Sequence, residues 1–362
     1  MGAVMVIVDG MGDILSFYPP ELVQMGKRGA YGAFCTCPQG FSVDTLPCVL
    51  TLLGVSSSRI PQGRGALEAA ARDIPLSQGE AAFRCNLVTL DGEGRLASSC
   101  GEGLTAAEKR RAFTLAAPIF REAGMQFFPL EDYRALVIVK ADPRELKNIR
   151  TYRPHAHLGE PLSALLPRGG GLAERLAACG VKSQKALAPL GHGAVLPWDG
   201  AGAPSLPRFS SLHGLKGAAV CRTDVVQGLA KAMQMDLFVP SHATGDVDTD
   251  LAEKAGMAAR LSEAYDFVLL HLNGADEASH RRNREEKEKF LRRVGKQVVS
   301  PLLLREELPL LVCSDHSTMA ATGEHRSHPQ PFFLRKMGVK GNLGLLSGKR
   351  AVELVTEQRK GE

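Results

Sequence analysis

Four short runs of consecutive apolar residues predict the strands of a buried β-sheet. The runs are residues 3–8 (AVMVIV), 217–221 (GAAVC), 267–272 (FVLLHL) and 310–312 (LLV). Apolar runs of this length that do not alternate with polar residues are typical of parallel strands buried on both faces. Because longer segments with helical spacing lie between them, the pattern predicts an α/β fold with a mainly parallel sheet flanked by helices.

A helix is predicted within residues 40–54 (GFSVDTLPCVLTLLG), and the polar side chains at its N-terminus are candidates for a chemical role. Either Asp44 or Thr45 can be its N-cap, and Pro47 is suited to its first turn. A hydroxyl at a helix N-terminus is usually a cap. It can also be a nucleophile, because the helix dipole favours an alkoxide and helps to hold a phosphate there.

The middle of the chain differs in character from the rest. Short strand-like runs, one predicted helix at residues 106–123 and a stretch rich in Pro, Gly and His replace the long apolar runs. Residues 200–207, rich in Gly and Pro, indicate a linker that returns to the first pattern. We therefore expect a smaller inserted α+β domain at residues 73–207. The other domain is then formed by residues 1–72 and 208–362.

Polar side chains follow three of the predicted strands, at the point where each strand ends. Asp9 follows the first, Asp276 and His280 follow the third, and Asp315-His316 follows the fourth. The carboxyl ends of parallel strands meet at one edge of a sheet, where α/β folds place their ligands. Asp276 and His280 are four residues apart and share one face of a helical turn. Each motif alone also fits an ordinary polar turn, whereas together they predict a site for Zn, Mn or Mg.

Composition and charge narrow the range of functions. The chain is 44% hydrophobic and 23% charged, and its net charge of +5 is spread along the sequence. This pattern argues against nucleic-acid binding and weakly favours small anionic substrates. The apolar N-terminus is too short for a signal peptide or a membrane span, and none of the eight cysteines forms a C-x-x-C pair. We therefore expect a cytoplasmic protein with reduced thiols and no membrane partner.

Nine segments, in sequence order, resemble the archaeal-type cofactor-independent phosphoglycerate mutases of the alkaline phosphatase superfamily. They are VDGMGD, TLLG, GRGALEA, AAFRCN, GLKGAAV, ATGDVDTDLAEKA, YDFVLLHLNGADEASH, SDHST and EHRSHPQP. Each segment alone is weak, but nine in the right order form a specific signal. The resemblance implies that residues 1–72 and 208–362 form an alkaline-phosphatase-like, metal-binding catalytic domain, and that the inserted domain at residues 73–207 caps the substrate.

The resemblance also implies two divalent metal ions, which can be Mn, Zn or Mg. One ion is expected to bind Asp9, Thr45, Asp315 and His316, and the other Asp276, His280 and His325. His328 stands where the family more often has a carboxylate or an amide, so it is not predicted to be a ligand.

The nucleophile implied by the resemblance is Thr45. Counting back from the TLLG segment places the family's nucleophilic serine at this position, with Leu46 replacing the aspartate that usually follows. Ser42 is the alternative, although its spacing from the helix is wrong by three residues. A hydroxyl at the helix N-terminus is also where an oxyanion is best stabilised.

Three residues are candidates for substrate binding. Arg64 and Arg84 offer guanidinium groups that can bind phosphate or carboxylate in a bidentate manner. The alternative for both arginines is a surface ion pair. His155 matches a Pro-His of the family and is either a proton-transfer residue or an ordinary loop histidine.

The implied reaction interconverts 3-phosphoglycerate and 2-phosphoglycerate through a phosphothreonine. Two departures from the family keep a hydrolase of another phosphomonoester, phosphodiester or phosphonate open. Leu46 removes a polar group beside the nucleophile, and Asp199 stands where the family tends to have an arginine. A third hypothesis is a non-catalytic binding protein. The presence of all six predicted ligands other than the Thr45 hydroxyl argues against it. The expected partner is a small phosphorylated substrate, and the oligomeric state is left open.

Overall fold

The computed structural model describes residues 1–13, 17–191 and 193–356. The chain divides into two compact units. The first, called here the metal-site unit, consists of residues 1–60 together with the chain from residue 205 onward. The second, the inserted unit, is residues 61–204.

The strands of the described residues are β1 Ala3–Val8, β2 Ala30–Cys35, β3 Glu80–Leu90, β4 Leu96–Ser98, β5 Gln126–Pro129, β6 Arg134–Lys140, β7 Gly193–Gly202, β8 Gly217–Val220, β9 Asp236–Phe238, β10 Phe267–Leu272, β11 Leu310–Cys313, β12 Ser317–Thr318, β13 His325–Arg326, β14 Gln330–Arg335 and β15 Gly341–Ser347. The α-helices are α1 Pro20–Arg28, α2 Thr45–Leu52, α3 Gly65–Ala71, α4 Ala106–Glu122, α5 Pro143–Asn148, α6 Leu162–Leu165, α7 Gly171–Leu187, α8 Phe209–His213, α9 Asp224–Ala232, α10 Leu251–Leu261, α11 Gly274–His280, α12 Arg284–Val294, α13 Ser300–Leu303 and α14 Ala351–Thr356.

The metal-site unit contains an eight-stranded sheet in the order β15-β2-β14-β11-β1-β10-β8-β9. Strand β14 pairs antiparallel with both of its neighbours, and the other pairs are parallel. The predicted α/β fold with a mainly parallel sheet is therefore confirmed. The three strands whose ends carry the predicted carboxylates, β11, β1 and β10, are adjacent.

Burial on both faces explains why these strands are continuously apolar. Every residue of β1, β10 and β11 is buried. Helices α10 and α12 cover the sheet with Leu251, Phe290 and Leu291, which share one apolar cluster with the strands. This burial, worth roughly 1.5–3 kcal/mol for each large side chain, fixes the positions of the strand ends.

The inserted unit is built on an antiparallel sheet. Strand β3 pairs antiparallel with β4, β6 and β7, and β5 completes the sheet beside β6. Helices α4 and α7 contribute Phe113, Phe120 and Leu176 to its core. Helix α7 was not predicted, and residues 200–202 of the predicted linker belong to strand β7 instead, where Ala201 and Gly202 pair with β3.

The boundary of the inserted unit differs from the prediction at residue 72. Helix α3 lies in the inserted unit because its small residues fit against β3. A Cβ atom on Gly65 would lie 2.2 Å from the Ala82 carbonyl oxygen. Ala69 shares a core cluster with Ala82, Leu136 and Ile138. The contacts therefore place the boundary between residues 60 and 61.

Within the described residues, the helices are too short or too polar for any of them to cross a membrane. All eight cysteines are free thiols.

Candidate metal centre

The register of the central strands brings three side chains together at the carboxyl edge of the sheet. Ile7 of β1 lies opposite His271 of β10 and Cys313 of β11. Asp9 follows β1 directly, and Asp315 lies two residues beyond β11. Asp9, His271 and Asp315 each offer a ligand atom within 4.8 Å of the others, and all three are buried.

Gly10 is required where the chain leaves β1. Its φ of +67° lies in the left-handed region, which glycine adopts without strain. A Cβ atom there would lie 2.8 Å from both the Asp276 Cα and the Thr318 Oγ1. The Gly10 amide also donates to Asp315 Oδ1 at 3.3 Å. The turn thus lets the backbone pass between two parts of the site.

Thr45 lies at the first position of α2, with its hydroxyl among the ligand atoms. Its Oγ1 donates to Asp9 Oδ2 at 3.2 Å and lies 3.4 Å from His316 Nε2. His316 Nε2 in turn lies 3.2 Å from Asp9 Oδ1 and 3.6 Å from Asp315 Oδ2. The four residues predicted to hold the first ion therefore converge on one buried point.

The start of α2 explains why Thr45 is available for chemistry. The Asp44 side chain caps the helix by accepting the Leu46 amide proton at 3.4 Å. The alternative of Thr45 as the N-cap is thus decided in favour of Asp44. Ser42, the alternative nucleophile, is exposed in the loop that precedes the helix.

The second predicted group also converges. Its ligands are Asp276 and His280 of α11 and His325 of β13. His280 Nε2 lies 3.2 Å from Asp276 Oδ2, and His325 Nε2 lies 3.5 Å from Asp276 Oδ1. The two Nε2 atoms are 3.1 Å apart. Because His325 Nδ1 lies 2.9 Å from the Val43 carbonyl, which can only accept, that nitrogen carries a proton, and Nε2 is the ring atom that faces Asp276.

Burial and crowding shift the pKa values of the carboxyl groups in opposite directions. Burial, together with the charges of Asp315 and Asp276, raises the pKa of Asp9 well above its ordinary value. Burial and Asp276 raise the pKa of Asp315 to about 7. Burial would also raise the pKa of Asp276, but hydrogen bonds from His280 and His325 outweigh it and hold that pKa well below the ordinary value. Asp9 and Asp315 therefore lack sufficient positive charge from the protein, whereas the ionised form of Asp276 is stabilised by the two histidines.

These residues fit divalent cations. Asp9 Oδ1, Asp315 Oδ2 and His271 Nε2 are fully buried and have no hydrogen-bond partner among the described residues. Buried polar atoms without partners are rare, and carboxylate and imidazole ligands converging from several elements suit Zn or Mn. Cations at this point would satisfy the lone pairs and neutralise the carboxylates.

His271 also belongs to this group, although its sequence context did not predict a ligand. The residue lies inside an apolar strand and is 1% exposed. Its Nε2 lies 3.3 Å from Asp9 Oδ2. Burial, with the charge of Lys254, lowers the pKa of His271 to about 3, so its imidazole is neutral and able to bind a cation. The only signal in the sequence is a histidine interrupting an otherwise apolar strand.

A further acidic cluster has a structural explanation. His242, Asp250 and Glu253 also bring ligand atoms within 4.8 Å of one another. Asp250 caps α10 by accepting the Glu253 amide proton, and Glu253 accepts the backbone protons of Ser241 and His242. The cluster therefore fixes the loop before α10.

The predicted substrate-binding residues lie in the inserted unit. Arg84 is held by two carboxylates, with its Nε 2.6 Å from Glu68 and its Nη1 3.6 Å from Asp199. Its guanidinium also lies over the Trp198 ring, 4.2 Å from the centroid. The His155 ring makes an edge contact with Trp198 at 6.1 Å.

Arg64, the third predicted substrate-binding residue, lies in the same unit. It occupies the position before α3 and is partly buried. Its role in substrate binding stays a prediction, as do those of Arg84 and His155.

Sequence comparisons identify a family related to this chain. The family model described as 2,3-bisphosphoglycerate-independent phosphoglycerate mutase matches residues 26–189. The enzyme of that name from Methanothrix thermoacetophila is 28% identical over 375 residues, covering 93% of this chain and 92% of that protein. A protein from Geobacter sulfurreducens, named as a probable enzyme of the same kind, is 29% identical over 346 residues, covering 90% and 86%.

Solved structures share the fold. A Pyrococcus horikoshii protein superposes with a TM-score of 0.77 at 21% identity, covering 100% of this chain and 99% of that one. The cofactor-independent phosphoglycerate mutase from Thermoplasma acidophilum superposes with a TM-score of 0.61 at 20% identity, covering 98% of each chain. The resemblance predicted from the nine segments is thus confirmed, over nearly the whole chain.

Proposed function

The chain is a homologue of the archaeal-type 2,3-bisphosphoglycerate-independent phosphoglycerate mutases, and on that premise we propose that it interconverts 3-phosphoglycerate and 2-phosphoglycerate. The observation that carries the proposal is the position of Thr45. Its hydroxyl lies at a helix N-terminus, within hydrogen-bond reach of Asp9 and beside His316. A nucleophile of a phosphoryl transfer needs this combination of a proton acceptor and a positive dipole.

Two divalent cations complete the proposed site. Asp9, Thr45, Asp315 and His316 would hold one, and Asp276, His280 and His325 the other. When bound, the cations supply positive charge that lowers the pKa of the attacking hydroxyl and stabilises the phosphoryl group in the transition state. The donor set accepts Mn, Zn or Mg, so the metal present is decided by availability.

The proposed reaction is a double displacement through Thr45. In the structure the Thr45 hydroxyl donates to Asp9 Oδ2, so the proton that the nucleophile must lose already faces a carboxylate. The Thr45 oxygen bonds to phosphorus while the bond between phosphorus and the 3-oxygen of the substrate breaks, and that oxygen gains a proton. Glycerate then reorients, and its 2-hydroxyl loses a proton as the 2-oxygen bonds to phosphorus. The bond between phosphorus and the Thr45 oxygen breaks, and that oxygen regains a proton.

Recognition of the glyceryl part is assigned, as a proposal, to the inserted unit. Arg64 and Arg84 are suited to the phosphate and carboxylate of the substrate, and His155 to proton transfer. Exclusion of water by this unit would make transfer to glycerate faster than hydrolysis of the phosphothreonine.

One observation favours a second candidate function, a metal-dependent hydrolase of another phosphate ester. Glu68 and Asp199 already neutralise Arg84 within the inserted unit. A guanidinium with two carboxylates attracts a substrate carboxylate less strongly than a lone one. Leu46, buried beside Thr45, also lacks the polar group that the mutases usually have there.

A paired assay distinguishes the two functions. Purified protein loaded with manganese or zinc is given 3-phosphoglycerate; 2-phosphoglycerate is measured through coupled enolase, and inorganic phosphate is measured in parallel. Formation of 2-phosphoglycerate without phosphate release supports the mutase, whereas phosphate release alone from 3-phosphoglycerate or a generic ester refutes it and supports the hydrolase. The matched control is Thr45→Val, which keeps the side-chain shape and removes the hydroxyl.

A further inference from the structure

We propose that Thr318 is a positioning residue that fixes the tautomer of His316 and links the two cation subsites. The inference rests on the proposed two-cation site but uses contacts of its own. The Thr318 side chain is fully buried. Its Oγ1 donates to Asp276 Oδ1 of the second subsite and lies 3.2 Å from His316 Nδ1 of the first.

Counting hydrogens determines the direction of both hydrogen bonds. A threonine hydroxyl has one proton to donate, and an ionised carboxylate has none. The hydroxyl proton of Thr318 therefore points to Asp276, and its lone pair faces His316. The Nδ1 atom of His316 must then be the donor, so the imidazole proton is on Nδ1.

The consequence is a lone pair on His316 Nε2, directed into the first subsite. This nitrogen faces Asp9 Oδ1 at 3.2 Å, Thr45 Oγ1 at 3.4 Å and Asp315 Oδ2 at 3.6 Å. Metal-bound histidines generally have the other ring nitrogen bonded to a partner of this kind, which orients the ring and raises its basicity. For His325 the same task falls to the Val43 carbonyl.

The backbone of Thr318 is fixed from two further directions. The residue pairs with His325 across the short β12–β13 ladder. Lys287 Nζ, which is buried, donates to the Thr318 carbonyl oxygen at 2.8 Å. Gly10 leaves room for the hydroxyl, because a Cβ atom there would lie 2.8 Å from Thr318 Oγ1. One threonine therefore touches His316 from the first subsite and both Asp276 and His325 from the second.

The test uses three variants of the full-length chain. Thr318→Val keeps the shape and removes the hydroxyl, and Thr318→Ser restores it. Ser317→Ala is the matched control, because Ser317 is equally buried in the same strand and its hydroxyl contacts His328 and Gln330 instead of a predicted ligand.

Zinc binding to chelator-treated protein is measured by competition with a chromophoric chelator. We expect Thr318→Val to weaken the binding of at least one ion by roughly 10–100-fold, as loss of a hydrogen bond behind a ligand generally does. Thr318→Ser and Ser317→Ala are expected to bind like the wild type. Wild-type affinity in Thr318→Val, or an equal loss in Ser317→Ala, would overturn the proposal.

The tautomer itself is measured in the metal-free wild type. Two-bond ¹H–¹⁵N spectra of protein with ¹⁵N-labelled histidine distinguish the two tautomers, and His316→Gln identifies the signal. We expect the proton on Nδ1; a proton on Nε2 refutes the proposal even if the valine variant does not fold. If instead the wild type binds no metal while the tautomer is as expected, the two-cation site fails and the role of Thr318 in orienting His316 stands.

Discussion

Replacing Asp315 by asparagine is expected to stabilise the metal-free protein at neutral pH while weakening its binding of cations. Asp315 is fully buried, and one of its carboxylate oxygens has no hydrogen-bond partner among the described residues. Burial and the charge of Asp276 raise the pKa of Asp315 from 3.8 to about 7. Without cations, the ionised side chain therefore opposes folding.

The size and pH range of the effect follow from the two pKa values. A pKa near 7 instead of 3.8 corresponds to a penalty of about 4 kcal/mol for the ionised form in the folded state. Below pH 4 the carboxyl group is protonated in both states and the penalty is absent. Between pH 4 and 7 the folded state retains a proton that the unfolded state has lost, so the free energy of unfolding falls as the pH rises. Asp315→Asn removes this dependence.

The assay is urea unfolding of chelator-treated protein at pH 4.5 and pH 8. The only tryptophan, Trp198, lies in the inserted unit, so unfolding of the metal-site unit is followed by far-UV circular dichroism. The exposed Glu307 provides the control variant Glu307→Gln. We expect Asp315→Asn to exceed the wild type by several kcal/mol at pH 8 and by little at pH 4.5. Added zinc should then stabilise the wild type more than the variant.

A result in which Asp315→Asn is no more stable than the wild type at pH 8 would refute the reasoning. It would mean that the buried carboxylate is compensated by the protein itself, without any cation. A difference that is equally large at pH 4.5 would instead point to packing and not to charge.

Four further outcomes are expected. Thr45→Val should lower mutase turnover by roughly 10⁴-fold or more while Thr45→Ser retains activity, as measured in the coupled enolase assay; an active valine variant would exclude Thr45 as the nucleophile. Asp276→Asn should reduce bound zinc from two equivalents to one by elemental analysis, and two retained equivalents would contradict the assignment. His271→Phe should weaken zinc binding roughly tenfold or more, whereas unchanged affinity would make His271 an ordinary core residue. Burial lowers the pKa of Lys254 to about 8, so Lys254→Met should raise the free energy of unfolding by roughly 3 kcal/mol below pH 8; this gain should vanish by about pH 10.5, and its persistence there would refute the electrostatic cause.

The predicted ligands could be read from the sequence because each follows an apolar run or lies in a family motif. Asp9, Asp276 and Asp315 come after strands whose burial on both faces makes them recognisable. His271 could not be found in this way, since its place within an apolar strand indicates a core residue. Its role depends on the register of β10 against β1, which only the folded sheet provides.

The inserted unit was harder to predict for a similar reason. Helix α7 begins within a stretch rich in Pro and Gly. Such a stretch predicts a loop, so the start of the helix was not recognised. The amino-acid composition of helix α3 does not distinguish between the two units. The helix is assigned to the inserted unit by its contacts with β3, and a sequence does not show such contacts. Thr318 belongs to a motif, but its contact with Asp276, which is 42 residues away in sequence, is known only from the folded structure.

The position of β1 at the centre of the sheet has a consequence for biosynthesis. Strand β1 ends at residue 8 and its neighbours β10 and β11 begin at residues 267 and 310, so during translation β1 remains without these partners until much more of the chain has been made. Residues 61–204 form a compact unit with its own core and can fold while this apolar strand is still unpaired. The proposed cation site is therefore incomplete until His325 has been made. The unpaired β1 segment is the part of the nascent chain to which chaperones are expected to bind.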